Sequence, residues 1–70
     1  MDQADLTELL AEHRFSPFVV TTHDGYALGI GPEQRRHIVV GKRMFVTIDA
    51  QGDIVHIPYQ SIAHIHENAG

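Results

Sequence analysis

The spacing of apolar residues changes once along this chain, at Ser16-Pro17, and that change limits the folds open to it. Before it, Leu6, Leu9 and Leu10 recur at i, i+3 and i+4, the period of one helical face. Asp5 and Glu8 have the spacing of a capping box, with Asp2 as a competing cap. A helix over about residues 3 to 13 is therefore expected, and its acidic first turns suit the positive end of the helix dipole. Pro17 stops it, because the residue before a proline is pushed out of the helical region.

After the proline the period is two, and β-branched and aromatic residues dominate FVVTTH, YALGI, HIVV, MFVTID, DIVHI and SIAHIH. One helix followed by six short strands predicts a mainly β fold: an N-terminal α-helix, then a small, strongly bent antiparallel β-barrel over about residues 17 to 67. Asp24-Gly25 reads as a two-residue type I′ hairpin, and Gly52 supplies a left-handed position after Ala50-Gln51. Pro58 cannot donate to a ladder and marks a break between the last two strands. Beyond the first turn, Ala27, Gly29 and Gly31 alternate with Tyr26, Leu28 and Ile30. Tyr26, Leu28 and Ile30 are expected to face the core, and the small residues to allow a sharp bend or a close backbone approach. The expected core is Leu6, Leu9, Leu10, Phe18, Val20, Tyr26, Leu28, Ile30, Val39, Phe45, Ile48, Val55, Ile57, Ile62 and Ile65, with Phe15 joining the helix face.

Seventy residues without cysteine make one domain, residues 1 to 70, whose core no disulfide or thiolate zinc site can reinforce. A core of this size supplies only about 3 to 5 kcal/mol, which makes oligomerisation the expected remedy. The open edge is expected in the last strands, with Ile54, His56, Ile62 and His64 at the interface between copies. No basic and apolar leader opens the chain, and no run approaches the roughly 18 apolar residues of a membrane span. The expectation is a cytoplasmic protein with no membrane partner.

The order of elements, a helix, a bent hairpin around Asp24-Gly25, central strands and a closing strand, one-turn break and strand, resembles the Sm-like fold. ELLAEHRFSPFVVTTHDGYALGI is similar to the opening of the bacterial Hfq-like RNA chaperones, and DIVHIPYQSIAHI to their closing pair. Residues 6 to 67 also resemble a group of small bacterial proteins that begin with a helix and a phrase such as RPFxPFxVxxxDG. The matching pieces here are Arg14-Phe15-Ser16-Pro17-Phe18, Asp24-Gly25, Pro32-Glu33, Gly41-Lys42-Arg43 and Ile62-Ala63-His64-Ile65. That second resemblance implies no established activity. The first implies a shape, and a ring of copies. It does not carry RNA binding across, since the stretch aligned with the family's Tyr-Lys-His phrase is Tyr59-Gln60-Ser61. The middle segment GPEQRRHIVVGKRMF is longer than its Sm counterpart, which leaves its strand register open.

Three functional readings follow. The first is a non-enzymatic homo-oligomeric binding or scaffold module. The second is an Sm-like RNA binder: Arg35, Arg36, Lys42 and Arg43 form a basic ribbon, drawn together if residues 38–40 and 44–46 pair across Gly41-Lys42. The net charge of -4 opposes general attraction to nucleic acid. The third uses the histidines, six of them. His64 and His66 share a strand face and His56 lies in the preceding strand, so the three are candidate ligands for Zn, Ni or Cu. Protonating all six would carry the net charge from -4 to about +2, a change able to loosen an assembly. There is no nucleophile elbow and no phosphate loop, so neither enzymatic activity nor a cofactor is expected.

Overall fold

A computed structural model gives the structure of the chain, and it describes residues 1–67. Helix α1 spans Gln3–Ala11, two residues shorter at its end than the leucine stripe suggested, because Glu12 already has extended geometry at ψ 136°. The cap is Asp2, not Asp5. The Asp5 N–H donates to the Asp2 carboxylate at 3.0 Å and the Asp2 N–H donates back to the Asp5 carboxylate at 3.2 Å. The reciprocal box thus lies one turn earlier than the Asp5/Glu8 spacing suggested, satisfying two N–H groups that the first turn leaves open. Leu6 is fully buried, and Leu9, Leu10 and Phe15 pack partly buried against the same core.

Six strands follow: β1 Phe18–Thr22, β2 Ala27–Ile30, β3 Val39–Val40, β4 Met44–Ile48, β5 Ile54–Pro58 and β6 Ile62–Glu67. They form two three-stranded antiparallel sheets, ordered β2-β1-β6 and β3-β4-β5. The two sheets and α1 share one core of Leu6, Phe18, Val20, Leu28, Ile30, Phe45, Ile57, Tyr59 and Ile62. Alternation is strict in β1 and β4, where every second residue is buried, as a strand with one face on a core requires. The break at Pro58 is a single 3-10 turn, Tyr59–Ser61.

The hairpin at Asp24-Gly25 is not the two-residue type I′ turn expected. A type I′ turn needs positive φ at both central residues, and among the described residues only Gly25 and Gly52 have it, at 92° and 87°. The loop has three residues, with the Thr22 N–H donating to the Tyr26 carbonyl at 2.8 Å and the Gly25 N–H to the Thr22 carbonyl at 3.0 Å. The β4–β5 connection repeats the design: the Asp49 N–H donates to the Asp53 carbonyl at 2.9 Å and the Gly52 N–H to the Asp49 carbonyl at 3.1 Å. Both are turns closed by a left-handed glycine, the standard three-residue hairpin.

The middle segment differs most from expectation. Pro32–Arg36 is a short helix, α2, and only Val39–Val40 of HIVV is strand. Gly31 links β2 to α2 as the N-cap of the helix; Pro32 fits the first helical position, and the Gln34 side chain accepts from the Gly31 N–H at 3.0 Å. Of the small-residue series, Ala27 and Gly29 do face outward. A side chain at Gly29 would meet no atom within 4 Å, so no backbone of this chain approaches there and the turn in direction falls at Gly31. Two expected core residues are exposed, Tyr26 at 41% and Val39 at 69%, and a third, Ile48, is half-buried on the outward side of β4 and takes no part in the core. Tyr26 closes the hairpin loop outside the strand, and Val39 sits on the outward side of its sheet. The core instead takes Tyr59, Thr22, Gln34 and Thr47.

Candidate interaction surface

The second sheet turns an apolar face outward. Register places Val39, Val46 and His56 in one row across β3, β4 and β5, with Met44 opposite Pro58 on one side and Ile48 opposite Ile54 on the other. Phe45, Thr47 and Ile57 point the opposite way and are buried. Ile54 is 72% exposed, Val39 69% and Met44 39%. Period-two alternation normally puts polar residues on the solvated face of a sheet; here that face carries branched aliphatics. Exposed apolar side chains gathered on one sheet face make it a candidate interaction surface.

The loops at the two ends of β4 carry opposite charge. Lys42 and Arg43 lie in the β3–β4 loop beside Met44 and are exposed. They line a shallow groove with Met1, Asp2, Pro58 and Gln60. At the other end, beyond Ile48 and Ile54, are Asp49 and Asp53 of the β4–β5 turn. The Asp49 carboxylate accepts from the N–H groups of Gln51 at 2.9 Å and Asp53 at 3.0 Å, which fixes the turn and leaves the Asp53 side chain exposed.

The loop holding Lys42 and Arg43 is pinned by Tyr59. Its hydroxyl donates to the Gly41 carbonyl at 2.6 Å and its N–H to the Arg43 carbonyl at 3.0 Å, while its ring packs 6.3 Å from Phe45. Burial, reinforced by the Asp2 carboxylate, pushes the Tyr59 phenol above its ordinary value. Gly41 is required there, because an added Cβ would come within 2.9 Å of the Met44 carbonyl. Tyr59 is thus a core strut.

The basic ribbon does not form one patch. Arg35 lies against α1: its Nε donates to the Leu10 carbonyl at 2.9 Å and its guanidinium stacks over the Phe15 ring at 4.8 Å. It thereby caps one of the carbonyls that a helix end leaves unpaired. Arg36 pairs with Glu33 at 3.3 Å on the α2 surface, where His37 also comes within 3.7 Å of Glu33. Residues 39–40 do pair with 45–46 as the sequence suggested, but the segment before them is helical. Lys42 and Arg43 line one groove, whereas Arg35 and Arg36 flank a separate depression beside Pro32.

The histidines divide between the sheets. His64 and His66 stack on the outer face of β6 with ring centroids 5.7 Å apart, opposite Thr21 and Val19 of β1. His56 is in the other sheet, because the Tyr59–Ser61 turn redirects the chain so that β6 pairs with β1 instead of β5. Among the described residues no three His, Cys, Asp or Glu side chains are grouped to hold a metal ion. Of the four expected interface residues, Ile54, His56 and His64 are exposed, but Ile62 is only 9% exposed and belongs to the core. Strict alternation placed Ile62 and His64 on one face, and the register shift between Thr21 and Thr22 breaks that alternation.

Among the described residues β2, β3, β5 and β6 are the edge strands of the two sheets, each with one unpaired edge. Four consecutive residues of β5, Val55 to Pro58, line a cleft of about 480 Å³ together with Thr22, His23, Asp24, Tyr26 and Ser61. Consecutive residues point to both faces of a strand, so the cleft runs along the unpaired edge. Its far wall is the first hairpin, tied down by the His23 N–H donating to the Ser61 carbonyl at 2.9 Å. Asp24 accepts from the Thr22 hydroxyl and the Tyr26 N–H, which hold its carboxyl below the ordinary aspartate value. Among the described residues no helix is long and apolar enough to cross a membrane. The chain matches no protein-family model, no curated protein and no solved structure.

Proposed function

We propose that this chain is a non-enzymatic homo-oligomeric binding or scaffold module built on a small, strongly bent β-barrel of the Sm-like or SH3-like kind. Its copies join through the free edges of β5 and β6. The observation that carries this reading is the position of those two strands: consecutive in sequence, separated by one 3-10 turn, yet on different sheets, each with an unpaired edge. Of the four edge strands β2, β3, β5 and β6, β5 and β6 suit head-to-tail pairing, in which β6 of one copy adds to β5 of the next. The cleft along β5, with apolar Val55, Ile57 and Pro58, provides a seat for an added strand. The order of elements and the shared core of the two sheets support the barrel.

Light scattering with amide hydrogen exchange tests the reading. Pairing predicts a mass above that of the 7.8 kDa chain and amide protection in β5 and β6 that falls on dilution. A monomer with fast-exchanging β5 and β6 amides overturns it. A polyuridine or oligoadenine titration at two salt concentrations separates the RNA-binding alternative: a steep salt slope that Lys42→Glu and Arg43→Glu flatten would replace the scaffold reading.

A further inference from the structure

We infer that the cleft along the free edge of β2 takes an extended peptide segment carrying a lysine or arginine, which adds as a fourth strand to the β2-β1-β6 sheet and sets its cation against Asp49. The site is separate from the pairing of β5 with β6 and does not depend on it.

The β1–β2 ladder fixes which backbone groups face that edge. Antiparallel partners alternate between pairs that exchange both hydrogen bonds and pairs that exchange none, and the Thr22 N–H on the Tyr26 carbonyl sets the phase. Along the register from there, Leu28 and Ile30 turn their N–H and C=O groups toward β1, and Ala27 and Gly29 turn theirs outward. Gly31 comes next in that alternation, and its N–H already has an acceptor, Oε1 of Gln34 at 3.0 Å. The Gln34 carboxamide therefore holds the position that a carbonyl of a fourth strand would take. Gln34 is only 9% exposed, yet among the described residues its Nε2 has no acceptor. No side-chain nitrogen or oxygen sealed in the interior lacks a partner among these residues, so the NH2 opens onto the cleft of about 420 Å³ that Gln34 lines. An incoming peptide carbonyl satisfies it.

Residues 26–31 run consecutively along this cleft, and the β4–β5 turn from Asp49 to Gln51 joins them in its lining. Ala27 and Gly29 are exposed, and the space where a Gly29 side chain would stand is open, so an added backbone meets no obstruction there. Charge selects the segment. Among the described residues no lysine or arginine lines the cleft, and Asp49 is its one charged side chain. The N–H groups of Gln51 and Asp53 both go to Oδ1 of Asp49, which leaves Oδ2 to accept from a cation.

The probe is the acetylated and amidated pentapeptide VKVKV, titrated to about 2 mM against the full chain and followed by nitrogen-15 amide spectra. Shifts are expected at Ala27, Gly29 and the Gln34 side-chain NH2. The glutamate counterpart VEVEV, and VKVKV N-methylated at every peptide bond, should each bind about tenfold more weakly, the size of one lost charge-assisted hydrogen bond. Asp49→Asn keeps the Oδ1 that holds the turn and removes the charge, so the preference for VKVKV over VEVEV should vanish. Gln34→Met keeps the length of the side chain without the amide and should weaken both peptides while the circular dichroism spectrum is retained. Equal binding of VKVKV and VEVEV by the parent chain, shifts confined to β5, or binding unchanged in both variants overturns the inference. So does protection of the Ala27 and Gly29 amides in the free chain that falls on dilution, because a second copy then holds the edge. Light scattering on the same samples keeps this site apart from assembly: shifts in β2 at unchanged mass support the peptide site whether the chain is a monomer or an oligomer.

Discussion

Replacing Thr47 with Val removes one oxygen from the middle of the molecule and leaves its shape nearly unchanged. Thr47 is 2% exposed, and its hydroxyl lies 3.0 Å from the carbonyls of both Gln34 and His37 at the end of α2. One hydroxyl proton serves the two carbonyls in turn. Since valine fills the same volume, no cavity term enters. The loss is that of a buried hydrogen bond plus part of the desolvation of a carbonyl left without its donor, about 1 to 2 kcal/mol. The Gln34 carbonyl keeps the His37 N–H at 3.2 Å, which holds the loss to this range. In a domain whose core supplies about 3 to 5 kcal/mol, that is a large share, and it corresponds to a fall in Tm of about 6 to 12 °C. Urea unfolding followed by circular dichroism measures it: the midpoint moves down and the m-value stays constant. Amides of α2 should also exchange faster than those of β1. An unfolding free energy within about 0.3 kcal/mol of the parent, or protection of α2 unchanged, would refute the view that Thr47 pins this helix to the sheet.

Three further outcomes follow from other sites. Tyr59→Phe should cost about 1 kcal/mol by removing the donor to Gly41. Because the Tyr59 phenol is raised above 10.0 in the folded chain, its contribution is full below pH 10 and fades as pH climbs through the raised value; the Phe variant should lack that alkaline loss in a pH series of thermal melts. Gly52→Ala, at φ 87°, should destabilise by about 1 to 2 kcal/mol, whereas Gly29→Ala, with open space around it and no positive φ, should be neutral or slightly stabilising; equal effects in urea would contradict the turn assignment. Asp24 should titrate below 3.8 by carboxyl NMR and return toward that value in Thr22→Val; since its pKa is depressed on folding, its contribution holds above 3.8 and disappears as pH falls through the lowered value.

Much of the architecture was legible in local pattern. The leucine stripe located α1, period two located six strands, and Gly25 and Gly52 marked the two three-residue hairpin loops, because each signal depends on residues that stay neighbours however the chain folds. Cap position was legible only to within a turn, since Asp2 and Asp5 both carry a suitable carboxylate and the choice lies in backbone geometry. The candidate interaction surface was half legible. Ile54, His56, Lys42 and Arg43 were singled out, but Val39 was assigned to the core, because an aliphatic residue in a two-residue strand reads the same whether it faces in or out.

What the sequence by itself determined is helix α1, the six strands, their order and the glycine-marked turns, all consequences of short-range sterics and apolar period; the short helix Pro32–Arg36 was not among them. Only the tertiary structure decided which strands meet. The one-turn break after Pro58 sends β6 to β1, which parts His56 from His64 and His66 and buries Ile62. Arg35 likewise became a strut for α1 through contacts with Leu10 and Phe15, residues too distant in sequence for any local pattern to join. Pairing across such separations is chosen by how the whole core fills, so its consequences for exposure and charge appear once the sheets are in place.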